Sequence, residues 1–331
     1  MLSTFSSSPA VVPRPLRRVV IPLLRQDTAQ VDFGVRRFRL RPGPARDILQ
    51  AAGQAFLRGF HATLRARTLS DLAGEVERLP AERRGFAYEG AGMACGVLDL
   101  LTASRGRRFA ALLAGPAARY PHLAQVGAGW AYARLGLRPR GGIPGADPPE
   151  RWLAWDGYGF HQGFFHPDRV IGRQHVERGL SPDERAIRDQ GLGRALWFHE
   201  CADPDGIALR IAEFPAARRG DLWSGAGLAA TYAGGATPEE LGRLADLAGE
   251  HGPDLAQGAA FACEAHRVSG VVPAHTAEAA PLLTGTGAEQ AADWTVRSLT
   301  ALGPEATGTG HYQRWRAGIR AEYVRSRRGD R

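Results

Sequence analysis

A chain of 331 residues, 44% hydrophobic, has ample material for a buried core, either as two ordinary domains or as one long array. The net charge of +8 raises a nucleic-acid reading, but every basic residue counted is arginine and none is lysine. The arginines are dispersed apart from 36–41 and the tail 325–331, whereas a phosphate-binding face needs clustering, so no nucleic-acid partner is expected. The three cysteines, Cys95, Cys201 and Cys263, form no Cys-x-x-Cys pair and read as buried thiols of a reducing compartment. No apolar run is long enough for a membrane span and the Pro-interrupted start makes a poor signal peptide, so the expectation is cytoplasmic.

In chain order, residues 1–44 read as an extended arm, with Pro9, Pro13, Pro15 and Pro22 barring a helix at its start. Ala45–Leu64 carries helical periodicity through Ile48, Leu49, Ala52, Phe56 and Phe60. Ser70–Leu79 is a short amphipathic helix that Pro80 ends. Beyond it a motif recurs, polar–Gly–small–Gly–apolar–Ala, with copies at Gly90, Gly127, Gly157, Gly191, Gly225 and Gly258. The spacing is about 34 residues, the length of a helical hairpin. Ser181-Pro182-Asp183-Glu184 and Thr237-Pro238-Glu239-Glu240 are complete capping boxes with proline at the first helical position, and Thr286–Glu289 is a further candidate.

The fold class expected is all-α: an α-solenoid-like array of helical hairpins. It reads as two duplicated halves, 45–137 and 175–302, joined by a Gly/Pro loop and central aromatic motif at 138–174. Residues 303–331 form a capping helix with Trp315, Ile319 and Tyr323 on one side, followed by a basic tail. Leu79-Pro80-Ala81-Glu82-Arg83-Arg84-Gly85 and Phe214-Pro215-Ala216-Ala217-Arg218-Arg219-Gly220 carry the duplication. Glycine inside a helix costs about 0.5–1 kcal/mol relative to alanine. Two per copy therefore need a reason: close approach of helix backbones, a smooth groove lining, or both on different faces.

Aligning the copies on their first glycine exposes the candidate site. Four positions on stand Ala94, Ala131, His161, Ala195, Ala229 and Ala262, so a histidine replaces alanine once. Three positions on, Arg194 is the single charged residue. Immediately before the glycine stand Glu89, Val126, Asp156, Gln190, Ser224 and Gln257. His161, Asp156 and Arg194 are the candidate catalytic group, His161 as a proton donor or acceptor. A satisfied core histidine and a structural Arg194 salt bridge are the competing readings. Tyr88, Glu89, Tyr158, Phe160, Gln162, Phe164, His166, His199 and Glu200 are candidate ligand-binding residues: an aromatic wall for a flat apolar ligand, with Glu89 a proton-transfer group only if desolvated. His161 and His166 lack the i,i+4 spacing of helical metal ligands, and neither a phosphate loop nor a nucleophile elbow is present, so neither metal nor cofactor is expected.

Val31–Arg37, Gln54–Phe60, Arg84–Ala94, Asp156–Phe165 and Asp221–Ala229 together resemble an unknown-function family of bacterial proteins of similar length from natural-product gene clusters. Its best-known members are accessory proteins encoded beside iterative enediyne polyketide synthases, the UnbL-like group. The resemblance implies a role in maturing a polyketide polyene into an enediyne core, with an apolar polyene as ligand and other biosynthetic proteins as partners. It brings no established catalytic residues. The alternative is a non-catalytic helical scaffold that docks those proteins.

Overall fold

The computed structural model describes residues 22, 24–102, 104–144, 146, 148 and 150–329. Among them every regular element is helical: α1 (Phe33–Arg36), α2 (Ala45–Arg65), α3 (Leu69–Glu77), α4 (Arg84–Leu101), α5 (Arg107–Ala114), α6 (Pro121–Arg134), α7 (Leu153–Phe165), α8 (Pro182–His199), α9 (Pro204–Ala212), α10 (Ala216–Ala233), α11 (Pro238–Ala248), α12 (Gly252–Ser269), α13 (Ala274–Thr284), α14 (Ala288–Thr300) and α15 (Thr309–Gly329). No described helix is long and apolar enough to cross a membrane.

Local chemistry sets the helix ends. Thr68, Ser181 and Thr237 each cap a helix while the acid three residues on, Asp71, Glu184 or Glu240, accepts from the cap's own N–H. The Thr286 box does not form. Gly287 is the N-cap of α14, and the Thr286 hydroxyl turns to Gln290 instead. The two related Pro-Ala segments make the same bonds. Arg84 donates to the carbonyls of Leu79 and Glu77, and Arg219 donates to those of Phe214 and Ala212. Each arginine thereby satisfies free carbonyls at the end of the preceding helix.

The glycine-rich helices α2, α4, α6, α7, α8, α10 and α12 pack each against the next. A methyl added at Gly90, Gly127, Gly157, Gly191, Gly225 or Gly258 would lie 1.8–2.0 Å from a carbonyl oxygen of the helix before it. The second glycines, Gly92, Gly129, Gly159, Gly193 and Gly227, meet the following helix at 1.8–2.2 Å. Helix backbones therefore touch on both faces, which only a missing Cβ permits. That contact, rather than a smooth lining, accounts for the recurring glycines.

The packing departs from an open stack of hairpins. Residues 135–152 join α6 to α7 with only the 3₁₀ turn Glu150–Trp152 among their described residues, and 166–181 join α7 to α8 through one π-helical turn, Asp168–Gly172. The series also curls on itself. α10 touches α2, the Tyr232 ring meets Phe86 edge-on at 5.2 Å, and the Tyr232 hydroxyl fills the space beside Gly85.

Much of the expected N-terminal arm lies outside the described residues, but its later part is ordered against the core. Phe33 and Phe38 are buried, with a 3₁₀ turn at Thr28–Val31. Arg36 donates to the Phe164 carbonyl, the Arg39 N–H to that of His199, and Arg41 to those of Cys201 and Ala202. This segment covers the C-terminal ends of α7 and α8, where cationic side chains are favoured.

Candidate functional site

α7 carries two polar groups on different faces. Asp156 and His161 are five positions apart, about 140° around a helix, so they cannot converge as the aligned copies suggested. Asp156 is fully buried and pairs with Arg194 of α8, Oδ1 to Nη1 at 2.5 Å. Gln190, one turn before Arg194, donates to the other Asp156 oxygen at 2.8 Å. Glu89 of α4 joins from the far side: its Oε1 accepts from Trp130 Nε1 at 3.1 Å and lies 3.7 Å from Arg194 Nη2. Arg194 also lies over the Phe160 ring at 4.9 Å.

The network continues along the residues that precede each first glycine. Ser224 Oγ lies 3.2 Å from Gln190 Oε1 and 2.8 Å from Gln257 Oε1, and Arg316 donates to Gln257 Oε1 and to Asp221. One sequence column has become one buried polar ladder, because the glycines hold neighbouring backbones close enough for short side chains to meet.

Glu89 is 3% exposed. Burial pushes its carboxyl up to about 7, against the pull of Arg194. It thus meets the condition of desolvation required of a proton-transfer group. Arg194 is driven the other way: burial disfavours its charge, but Asp156 and Glu89 outweigh that and raise its pKa.

Two apolar cavities flank this cluster and share Arg194. One, of about 50 Å³, is bordered by α6, α7, α8, α10, α12 and α15, with Val126, Asp156, Leu228, Tyr232 and Phe261 in its wall. The other, of about 40 Å³, is aromatic, lined by Phe56, Phe86, Trp130, Phe160, Phe164 and Phe165, with Glu89 at its polar end. Each has the volume of only a few waters.

His161 is 5% exposed and its Nδ1 has no hydrogen-bond partner. It packs edge-on to Trp130 at 5.6 Å and lies 4.7 Å from Phe165, ring centre to ring centre. Burial, reinforced by the positive charges of His166, Arg134 and Arg36, pushes it down to about 3. At the level where it replaces alanine, the preceding helix α6 is ending, at Arg134.

The other candidates disperse. Phe160 and Phe164 stack at 5.9 Å and belong to the aromatic cavity. Gln162 is buried with its Oε1 unpartnered, and His166 is exposed at the end of α7. Tyr88 stacks on Tyr120, with its hydroxyl pushed up to about 12 by burial, and Tyr158 packs against Trp155. His199 and Glu200 form a separate cluster at the end of α8. Burial would raise Glu200, but hydrogen bonds from His199 and Arg210 hold it at about 2, and Arg39 pairs with it. That cluster ties down the N-terminal segment. Among the described residues no three His, Cys, Asp or Glu side chains are grouped as metal ligands.

Arg36, Arg134 and Tyr232 were not singled out by the sequence. Arg36 lies in a run of arginines, and the other two have no local motif. Only the curl of the series brings Tyr232 to α4.

The fold and site define an all-α protein whose curled helices enclose a buried carboxylate–arginine cluster between apolar cavities. The family described as "Protein of unknown function (DUF1702)" is matched over residues 14–323, and the chain belongs to that family. Searches of curated proteins and of solved structures each returned no match.

Proposed function

We propose that this chain binds an apolar polyene intermediate of an enediyne-type polyketide pathway within its interior and directs proton movement on it during core formation. The observation that carries the reading is the meeting of an aromatic cavity with a desolvated carboxyl, Glu89, held beside Arg194 and Asp156. A flat conjugated chain matches stacked aromatic walls. A carboxyl poised at about 7 exchanges protons at neutral pH without a strong driving force in either direction. In this reading Glu89 is the acid or base, Arg194 sets its charge and Asp156 holds Arg194. His161 acts separately, at the other end of the aromatic wall. At about 40 Å³ the aromatic cavity is far smaller than a polyene, so binding requires its aromatic side chains to swing aside.

The chain packs consecutive helices through glycine contacts that recur from copy to copy, which supports a duplicated helical-hairpin ancestry even though the array curls back on itself. A second reading, a scaffold that docks other biosynthetic proteins, is favoured by a surface groove of about 560 Å³. It runs between α9, α10 and α11, bordered by Asp205, Leu209, Trp223, Arg243 and Leu247, with Leu209 69% exposed.

The deciding experiment is reconstitution of the pathway with and without the protein, with the accumulating intermediate identified by mass spectrometry. Unchanged output with folded Glu89→Gln protein removes the catalytic reading and leaves binding or scaffolding. Full output from a folded His161→Ala variant removes His161 from the chemistry.

A further inference from the structure

The polar cluster around Asp156 is internally matched in charge; the one at the other end of α7 is not. Arg36 lies with its guanidinium carbon 4.8 Å from the Phe165 ring centre, and its Nε is buried without a partner. The His161 ring contacts the same phenylalanine and lies 6.1 Å from that of His166, centre to centre, and its Nδ1 is likewise buried and unpartnered. Arg134, at the last position of α6, lies close enough to disfavour a charge on His161, and Arg169, in the turn after α7, does the same to His166. Among the described residues, no carboxylate comes within ion-pair distance of Arg36, Arg134, His161, His166 or Arg169, although most other buried or half-buried arginines of the chain have an acidic partner.

The buried nitrogens without partners are costly unless a ligand completes them, while the exposed charges of Arg134, His166 and Arg169 are tolerated in solvent and remain open to an anion. The position adds the second argument. Phe164, Phe165 and Trp130 line the aromatic cavity and also touch Arg36 or His161. The basic cluster therefore abuts one end of that cavity, while Glu89 and Arg194 stand at its polar wall.

We propose that this cluster is an anion site, and that the ligand is a long apolar chain whose anionic end is held by Arg36, Arg134 and His161 while its body enters the aromatic cavity. The inference rests on the reading of the interior as a polyene site and supplies what that reading lacks: which end of the chain is anchored, and by what charge. The anionic end is either a free carboxylate or the phosphodiester of a carrier-borne phosphopantetheine thioester. The two share the chemistry of charge-assisted hydrogen bonds to guanidinium.

The test uses the full chain and three fluorescent probes built on one conjugated chain: cis-parinaric acid, its methyl ester and its 4′-phosphopantetheine thioester. Binding of at least one anionic probe about tenfold or more tighter than the ester is expected. The preference should shrink to a few-fold in Arg134→Gln, a substitution at an exposed helix end that leaves the core intact. A preference for the acid assigns a released chain, and a preference for the thioester assigns a carrier-bound one. A second readout is the His161 ring titration by NMR, which should move up on binding the anionic probe and stay in place with the ester. Equal binding of acid, thioester and ester overturns the anion site and leaves the apolar-cavity reading standing. No binding of any of the three overturns both.

Discussion

α7 presents two clusters of charge that obey opposite rules. Around Asp156 every charge has an opposite neighbour: Arg194 against Asp156 and Glu89, with Gln190 donating to the second Asp156 oxygen and Trp130 to the Glu89 oxygen that faces Arg194. Around His161 the charges are all of one sign, and two buried nitrogens lack partners. A matched cluster is a part of the fold and fails when one member is removed. An unmatched cluster is tolerated without its partner and becomes informative when one is supplied. The residue that stands out most in the aligned copies, His161, belongs to the second kind.

The strongest way to break the first cluster is through its backbone. Gly191→Ala would put a methyl 1.8 Å from the Asp156 carbonyl oxygen, forcing α7 from α8. We expect destabilisation exceeding about 4 kcal/mol and little folded protein, read by circular dichroism and thermal melting. Next, Asp156→Ala removes the nearer carboxylate partner of buried Arg194 and leaves only Glu89, at 3.7 Å, to balance it. A loss of roughly 3–5 kcal/mol is expected, with a lowered midpoint in urea. An unchanged midpoint would show that the cluster is not structural.

pH dependence separates the clusters by sign. The folded pKa of Glu89, about 7, lies above its ordinary 4.5. Its contribution is therefore fully present below pH 4.5 and is lost as pH rises through 7, by roughly 3 kcal/mol at most. Glu89→Gln should flatten that fall. His161 works in reverse: held at about 3 against an ordinary 6.5, it contributes above pH 6.5 and loses that contribution as pH falls toward 3. His161→Asn should flatten the acid limb alone. Urea denaturation between pH 4 and 8 checks both, and if the two variants moved the same limb, the assignment of opposite environments would be wrong. The smallest stability effect is expected for Arg134→Gln, within about 0.5 kcal/mol, since it removes an exposed, unpaired charge.

Local sequence made the helices legible. Apolar periodicity located α2, the Ser181 and Thr237 boxes located the starts of α8 and α11, and the paired Pro-Ala segments marked equivalent turns whose arginines do bond alike. These features are legible because each bond closes within a few residues. The Thr286 box shows the limit: two starts compete within one turn, and the glycine wins.

Within the site, the column before each glycine was visible as a pattern, and Asp156 and Arg194 stood out together with His161 as one group. Their separation from His161 follows from helical geometry along α7. What no spacing contained was the curl of the series, which sets Tyr232 against α4 and into the wall of a cavity. Nor did spacing reveal the seating of Arg36 on Phe165. The sequence by itself determined an all-α chain, because apolar periodicity and helix caps are local properties; that the recurring glycines mark touching backbones came from the packing. The tertiary structure alone decided which charges are matched and which are left open, because that depends on where distant helices end and on the angle at which each meets the next.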